Sequence, residues 1–139
     1  MDEDKLNRLP PDVKKQFLKL ALKLSEKKTK SKVHDDFLSF VKHVWPEFIE
    51  GPHHKKIAEK FNRLAKGEVK RLIINMPPRH TKSEFASFLL PSWMVGRKPN
   101  LKIIQTTHTT ELAIRFGRKA KTLMDSQEYK QVFSTRLRE

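Results

Sequence analysis

The sequence predicts an α/β fold in which parallel strands are connected by helices. Two short apolar runs, at residues 72–76 and 101–106, have the length and composition of buried strands. Apolar residues at helical spacing follow each run, and three more segments with that spacing precede the first run. The order helices, strand, helix, strand, helix is that of a βαβ unit. We therefore expect two parallel strands, neighbouring or nearly so, joined by a right-handed crossover.

The first 32 residues are expected to form a separate N-terminal region. Pro11 stands at a helix start, and apolar residues follow it at helical spacing. Residues 26–32 contain four lysines among polar residues, which predicts an exposed basic linker. We therefore divide the chain into a helix and linker at residues 1–32 and a domain at residues 33–139. The apolar face of the helix carries Val13, Phe17, Leu20, Ala21 and Leu24.

Two helices are expected between residue 33 and the first strand. One carries apolar residues up to Trp45 and ends at Pro46, because the residue before a proline disfavours helical angles. The other follows Gly51-Pro52 and ends at Gly67, a residue type that suits the C-terminus of a helix.

A further helix is expected after each predicted strand. The first begins at about Lys82, and Pro91 should kink or end it. The second follows residues 101–106, with Thr109 or Thr110 as the residue that caps its N-terminus. Glu111 would then lie in its first turn, where a negative charge is favourable.

The composition is strongly basic and contains no cysteine. Thirty Lys and Arg against 16 Asp and Glu give a net charge of +14. Such an excess suits a polyanionic partner, of which DNA is the obvious one, although a basic tail would give the same count. The absence of cysteine excludes disulfides and thiolate metal sites. No apolar run approaches the roughly 20 residues of a membrane span, and the first residues are polar, so we expect an intracellular protein without a secretory signal.

Residues 72–84 have the arrangement by which many proteins hold a nucleoside triphosphate. A strand leads into a tight loop, and Lys82-Ser83 open the next helix. In such loops backbone N–H groups and the helix dipole bind the phosphates, a lysine neutralises charge, and a hydroxyl binds Mg²⁺. The strict pattern G-x-x-x-x-G-K-[ST] is not met, because Met76 and Thr81 stand at its glycine positions. From this pattern alone, a solvated lysine at a helix start is the alternative.

Four blocks of sequence resemble the large subunit of tailed-phage terminases, in the N-terminal ATPase part of that DNA-packaging motor. The family loop commonly reads Pro-Pro-Arg-His-Gly-Lys-Ser, and this chain has Thr81 in place of the glycine. The resemblance covers residues 33–139, with further likeness in the leading helix. It implies a P-loop NTPase-type three-layer fold with a parallel sheet, of which this chain holds the leading helices and one βαβ unit. The four blocks are residues 74–85, 91–93, 96–99 and 116–119.

The resemblance also implies roles for the residues of the loop. Lys82 would bind the β- and γ-phosphates of ATP, Ser83 would bind Mg²⁺, and Arg79 would stabilise the γ-phosphate. Lys82 and Arg79 are therefore the candidate catalytic residues, although Arg79 could instead form a salt bridge with a neighbouring acid. The other nucleotide-binding residues of the loop would be Pro78, His80 and Thr81.

The histidines at positions 53, 54 and 80 are expected to have different roles. His54 lies where the family has an element that contacts adenine, so it could stack on the base or hydrogen-bond to it. The alternative is a structural role, which is common for a histidine near a helix start. Neighbouring helical residues point about 100° apart, so His53 and His54 are not expected to share a metal. His80 is expected to pack or to bond the backbone rather than to act as a base.

An intact terminase large subunit couples ATP hydrolysis to translocation of DNA into the viral capsid, and it cuts DNA with a separate nuclease domain. The resemblance implies double-stranded DNA, the portal protein and the small terminase subunit as partners. It also implies a homo-oligomeric ring, no membrane, and a location in the host cytoplasm at the procapsid portal. Hydrolysis requires an acid after an apolar strand, and no aspartate of this chain ends such a strand. We therefore expect a fragment, truncated before the Walker B strand and without the nuclease domain, that binds ATP and hydrolyses it poorly.

Two other functions fit parts of the sequence. A small non-catalytic DNA-binding protein would use the βαβ unit as a scaffold for a basic surface. Arg115, Arg118 and Lys119 would then contact DNA phosphates, although a solvated helix face explains the same three residues. A P-loop kinase of small molecules would also need Lys82, but it accounts neither for the charge nor for the four terminase-like blocks.

Overall fold

Helices separated by irregular segments form the part of the chain that the structure describes. The structure is a computed structural model that describes residues 10–135. Contacts divide the chain into two units, Met1–Ser31 and Lys32–Glu139. Helix α1 begins in the first unit and ends in the second, and the other elements belong to the second unit. The elements are α1 (Pro11–Asp35), α2 (Phe37–Val44), α3 (Pro52–Lys66), α4 (Lys82–Glu84), a π-helical turn (Phe85–Leu89), α5 (Leu90–Arg97), α6 (Thr110–Asp125) and α7 (Gln127–Val132).

Helix α1 includes the residues for which a linker was predicted. It begins at the expected proline, but it continues through residues 26–32 to Asp35, so the predicted basic linker is wrong. No proline or glycine interrupts this stretch, and its lysines and glutamate are good helix formers. Its lysine side chains are exposed, as the charge pattern indicated. The predicted apolar positions Val13, Phe17, Leu20 and Leu24 are also exposed.

The core of the second unit is assembled around Phe37, which is fully buried at the start of α2. Its ring makes edge-to-face contacts with three other aromatic rings, at centroid distances of 5.1 Å to Phe61, 5.4 Å to Phe85 and 5.5 Å to Trp93. These residues belong to α3, the π-helical turn and α5. Phe85 therefore fixes the helical segment that follows the loop at residues 76–84 to the core.

Helices α2 and α3 confirm the two helices predicted ahead of the first apolar run. Asp36 caps α2 by accepting a hydrogen bond from the Ser39 N–H group at 2.8 Å. Asn62 of α3 donates to the Asp36 carboxylate and accepts from the Phe37 N–H group, both at 2.8 Å, which holds the start of α2 against α3. Gly67 ends α3 with a φ of 83°, the left-handed conformation that glycine adopts at little cost.

Pro91 does not end the helix that contains it. Residues 82–97 are helical without interruption, and Pro91 follows directly after the π-helical turn. In that turn the N–H group of Leu90 donates to the carbonyl of Phe85, five residues earlier. A wider turn changes the bonding pattern at the point where proline lacks an N–H group, so the helix accommodates the proline instead of stopping.

The predicted α/β fold, and with it the P-loop NTPase-type parallel sheet, is wrong. No strand is present in residues 10–135, and residues 71–77 and 101–107 are irregular segments. Burial alternates along residues 71–76, so Leu72, Ile74 and Met76 pack against the core. Ile73 and Ile104, by contrast, are 85% and 91% exposed. A parallel sheet needs further strands and cover on both faces, and within the described residues helices cover only one face of the first segment.

Helix α6 begins as the sequence predicts. Thr109 has an extended backbone, and its Oγ1 accepts a hydrogen bond from the Leu112 N–H group at 3.3 Å. Glu111 lies in the first turn. Both observations confirm the predicted cap, because a threonine hydroxyl at this position satisfies one of the N–H groups that a helix start leaves without an internal partner.

Candidate functional site

The loop at residues 76–84 surrounds a cavity of about 420 Å³. The cavity brings together six of the seven residues that the sequence analysis placed at a nucleotide site, and the seventh, His54, contacts the loop from α3. The lining residues are Met76, Pro77, Pro78, Arg79, His80, Thr81, Lys82, Ser83 and Glu84.

Two residues of this loop have left-handed backbones. Arg79 has a φ of 64° and Thr81 a φ of 57°, and these are the only non-glycine residues with positive φ in the described part of the chain. Such conformations cost on the order of 1–3 kcal/mol for a residue with a side chain, and they persist only where surrounding contacts impose them. A β-branched residue such as Thr81 is especially unfavourable there. Both residues at which the backbone is strained therefore lie in this one loop.

Lys82 lies across the base of the loop. Its Nζ donates to the carbonyl oxygen of Met76 at 3.2 Å, so the ammonium group is held between the start of the loop and the helix that follows. The side chain is partly buried, whereas Arg79 and Ser83 are exposed. A lysine oriented by the backbone in this way presents its charge to the cavity.

His80 stabilises the outer part of the loop. Its Nδ1 lies 2.8 Å from the carbonyl oxygen of Pro78 and donates a hydrogen bond to it, since a carbonyl can only accept. The ring also contacts that of His53 at a centroid distance of 5.6 Å. A bond to the backbone is one of the roles expected for His80.

Thr81 is the residue before α4, but its hydroxyl does not cap that helix. Instead Oγ1 lies 2.6 Å from Nε2 of His54 and donates to the carbonyl oxygen of His80 at 2.7 Å. A threonine at this position commonly accepts from an N–H group of the first helical turn. Because Thr81 does not, the N–H groups at the start of residues 82–97 donate no hydrogen bond to the capping side chain.

The ring of His54 is buried and bonded at both nitrogens. Its Nδ1 accepts from the Gly51 N–H group at 2.8 Å, so the proton of the neutral ring is on Nε2 and is donated to Thr81. Only 5% of the residue is exposed, and its ring packs against those of Phe48 and Phe85. In this structure His54 holds the loop, which is the structural alternative stated for it, and its nitrogens bond protein atoms.

Burial lowers the pKa of His54 below its ordinary value of 6.5, because a charged ring would lose hydration. The neighbouring His53 and His80 lower this pKa further through charge repulsion, while Glu50 opposes them. His54 is therefore neutral at neutral pH, which is the form that its two hydrogen bonds require.

Glu84 connects the end of the loop to α6. Both of its carboxylate oxygens accept from Nζ of Lys119 at 2.8 Å. Lys119 also lies 5.1 Å from the centre of the Phe88 ring, a cation–π contact. The sequence analysis did not pair these residues, and their separation of 35 positions leaves no local pattern that could have revealed the contact.

A second, larger cavity of about 910 Å³ lies on α6 beside the π-helical turn. It contains all three basic residues that were considered as contacts for DNA phosphates. Apolar and aromatic side chains lie among these cations, which gives a groove with a charged rim. Its lining is Phe88, Glu111, Ile114, Arg115, Arg118, Lys119, Thr122 and Leu123.

No group of three or more His, Cys, Asp or Glu residues that could hold a metal occurs in residues 10–135. By the terminase resemblance, the Ser83 hydroxyl would be the ligand that the loop supplies to Mg²⁺, and the remaining oxygens would come from a bound phosphate and from water, as is common for this ion. In the part of the chain that the structure describes, none of the helices combines the length and apolar character needed to cross a membrane.

No family model, curated protein or solved structure matches this chain. The resemblance to terminases therefore stays a prediction that rests on the four sequence blocks. The geometry of the loop stands independently of it.

Proposed function

We propose that the loop at residues 76–84 binds the triphosphate of ATP together with Mg²⁺, and that the chain is the ATP-binding portion of a terminase large subunit. The observation that carries this proposal is the cavity into which Lys82 is oriented by its bond to Met76 O. The proposal rests on this local geometry and on the terminase-like sequence blocks.

The residues of the loop that would bind ATP have different roles in this proposal. Lys82 neutralises phosphate charge, and the N–H groups that Thr81 leaves without a side-chain cap donate to phosphate oxygens. The exposed Arg79 is free to turn toward the terminal phosphate, where a planar guanidinium can donate two parallel hydrogen bonds. Mg²⁺, bound by the Ser83 hydroxyl, would neutralise charge on the phosphate oxygens.

The residues of this loop hold a triphosphate better than they activate water. Glu84 is the one carboxylate among the lining residues, and Lys119 occupies both of its oxygens. A general base or a residue that orients water must be available to the nucleophile. We therefore propose an ATP-binding element of an ATPase with little hydrolytic activity of its own.

The biological setting follows from the terminase resemblance and is part of the proposal. The ATPase would couple ATP hydrolysis to packaging of double-stranded DNA in a homo-oligomeric ring. That ring would act with the portal protein and the small terminase subunit at the procapsid in the host cytoplasm.

Titration of a fluorescent ATP analogue with Mg²⁺ tests the site. Lys82→Ala should weaken binding by about 10- to 100-fold, the range expected when a charge-assisted hydrogen bond is removed. Lys121→Ala is the matched control, because it removes the same charge from an exposed position that does not line the cavity. Equal binding by the wild type and Lys82→Ala would refute the site.

Phosphate release from the purified chain tests the second part of the proposal. We expect little or no turnover above background, with duplex DNA present or absent. Robust release that disappears in Lys82→Ala would show that the chain contains a catalytic acid, and Glu84 and Glu111 would then be tested as glutamine variants.

A non-catalytic DNA-binding function is the second candidate, and the groove on α6 favours it. Arg115, Arg118 and Lys119 line that groove, and the chain carries a net charge of +14. Removing one cation that binds a DNA phosphate should reduce the slope of log affinity against log salt by about 0.9. Duplex binding that is weakened by Arg115→Ala and Arg118→Ala, but not by Lys82→Ala, would support this function. Because Lys119 also binds Glu84, it is left unchanged in this experiment.

A further inference from the structure

We propose that neutral His54 positions the phosphate-binding loop through Thr81, so that protonation of His54 weakens triphosphate binding. This inference rests on the proposed function, and it assigns His54 an indirect role rather than a contact with the nucleotide base. The two residues lie 27 positions apart, and a hydrogen bond of 2.6 Å joins their side chains.

A chain of hydrogen bonds carries the effect from α3 to the loop. The Gly51 N–H group donates to Nδ1 of His54, and Nε2–H donates to the Thr81 hydroxyl. The Thr81 hydroxyl in turn donates to the carbonyl of His80. Every donor in this chain has one acceptor, and the pattern exists only when Nδ1 is unprotonated.

This arrangement accounts for the conformation of Thr81. Its φ of 57° is unfavourable for a β-branched residue, so another contact must hold it there. The bond to His54 is such a contact, because His54 is itself fixed by burial against Phe48 and Phe85. It also directs the hydroxyl away from the start of α4, which leaves the N–H groups of that turn available to phosphate.

Protonation of Nδ1 would break the first hydrogen bond of this chain, the one that Gly51 donates to His54. A protonated Nδ1 carries a hydrogen that faces the Gly51 N–H group, so two donors oppose each other. The titratable groups around the ring are His53 and Glu50 on the α3 side and His80 on the loop, and the packed rings are apolar. Of these three groups, His53 and His80 disfavour a proton on His54 through charge repulsion, and Glu50 favours it.

The direction of the pH effect follows from the pKa. Folding lowers the pKa of His54 from 6.5, so the folded form binds the proton less readily than the unfolded chain. The stability that neutral His54 contributes is therefore complete above pH 6.5 and is lost as the pH falls below that value. Triphosphate binding should decline in the same direction.

The first test needs no nucleotide. Nitrogen chemical shifts of the three imidazole rings report tautomer and protonation separately. We expect His54 to have its proton on Nε2 and to titrate at lower pH than its own ordinary value. A proton on Nδ1, or titration of His54 at or above pH 6.5, would overturn the proposal.

The second test measures affinity for the fluorescent ATP analogue between about pH 8 and pH 5.5, a range that includes ordinary histidine titration. His54→Gln retains an N–H donor without a charge that changes over this range, so it should bind within about threefold of the wild type at the higher pH. Its affinity should then fall less on acidification. The nucleotide's own protonation is common to both proteins, so only the difference between their profiles is interpreted.

Thr81 variants test the same link from the other side. Thr81→Val removes the hydroxyl with little change in shape and should weaken binding by about five- to tenfold, the equivalent of one hydrogen bond. Thr81→Ser retains the hydroxyl, so its affinity should lie within about twofold of the wild-type value. If His54→Gln fails to fold, as circular dichroism would show, this pair still decides the matter, because Thr81 lies at the partly exposed edge of the fold.

The outcomes separate this inference from the proposed function. Two results, each combined with loss of binding in Lys82→Ala, would overturn only the role of His54. One is wild-type affinity in Thr81→Val, and the other is a pH profile of His54→Gln that equals that of the wild type. Unchanged binding in Lys82→Ala would overturn the phosphate site itself, and the role of His54 with it.

Discussion

Two irregular segments lead into helices through a threonine, and the two threonines behave differently. Residues 71–77 precede Thr81, and residues 101–107 precede Thr109. Thr109 has an extended backbone, and its hydroxyl accepts from the first turn of α6 at 3.3 Å. Thr81 has a left-handed backbone, and its hydroxyl bonds His54 instead of the first turn of α4.

The N–H groups at a helix start can either be satisfied by the capping side chain or be left for another acceptor. At α6 the threonine satisfies an N–H group of its own helix, so that end is a structural cap. At α4 the hydroxyl of Thr81 instead accepts a hydrogen bond from buried His54. The N–H groups of the first turn therefore remain for another acceptor. Residue type is therefore a poor guide to the role of a helix start, because a tertiary contact decides which acceptor the N–H groups meet.

The largest expected effect comes from placing a carboxylate at each threonine. Thr81→Asp should weaken binding of the ATP analogue by on the order of 100-fold, because the carboxylate takes the open N–H groups and repels phosphate. Thr109→Asp should leave affinity unchanged, since aspartate is as good a cap as threonine. Parallel titrations of the two variants measure this contrast. Equal affinities would mean that the start of α4 takes no part in binding.

A smaller effect is expected when the structural cap is removed. Thr109→Ala should lower the free energy of unfolding by about 1 kcal/mol, the usual cost of losing a threonine cap. Thr110→Ala is the matched control, because Thr110 is an exposed residue inside the helix and alanine is the better helix former there. Urea denaturation of both variants gives the comparison. A greater loss of stability in Thr110→Ala than in Thr109→Ala would mean that Thr109 is not the cap.

The first turns of the two helices also differ, since Glu84 is paired with Lys119 and Glu111 is exposed. Glu84→Gln should lower the free energy of unfolding by about 0.5 kcal/mol, because both partners of the pair are partly exposed and water screens them. Glu111→Gln should cost only a few tenths of a kcal/mol through the helix dipole. The Glu84 effect should shrink with added salt in denaturation experiments. An effect that does not respond to salt would exclude an ion pair as its cause.

The smallest effects are expected in the two segments themselves. Ile73→Ala and Ile104→Ala should change the free energy of unfolding by less than about 0.5 kcal/mol, because both side chains are exposed. Ile57→Ala, which empties a buried position in α3, should cost about 2–5 kcal/mol and serves as the reference. Thermal or urea denaturation measures all three. Losses near 2 kcal/mol at position 73 or 104 would show that these side chains are buried in solution.

Much of the local structure could be predicted because its causes lie within a few residues. Gly67 ends α3 and Thr109 begins α6 through backbone conformation and a short-range hydrogen bond. The grouping of residues 78–83 around one cavity could also be predicted, because they are consecutive in a tight loop. The hydrogen bond from Lys82 to the Met76 carbonyl is also local, because the two residues are six positions apart.

The predicted sheet failed for a reason that local sequence cannot show. The two apolar runs have strand-like composition, but a strand exists only when other strands supply its hydrogen bonds. Within residues 10–135 helices cover Leu72 and Ile74, while Ile73 and Ile104 face outward without strand neighbours. The linker predicted at residues 26–32 failed for the opposite reason, since charge density does not break a helix in the absence of proline or glycine.

The amino-acid sequence alone was enough to locate the starts of α1, α3, α4 and α6, the ends of α2 and α3, the basic charge and the lysine-containing loop, because caps, breakers and apolar spacing act over one or two turns. Only the tertiary structure decided which side chains meet across the chain. His54 reaches Thr81 over 27 positions and Lys119 reaches Glu84 over 35, and both contacts depend on how α3 and α6 pack against the segment at residues 82–97. Packing of this kind is a property of the whole unit, so the open helix start that we propose as a phosphate site becomes visible only in the folded chain.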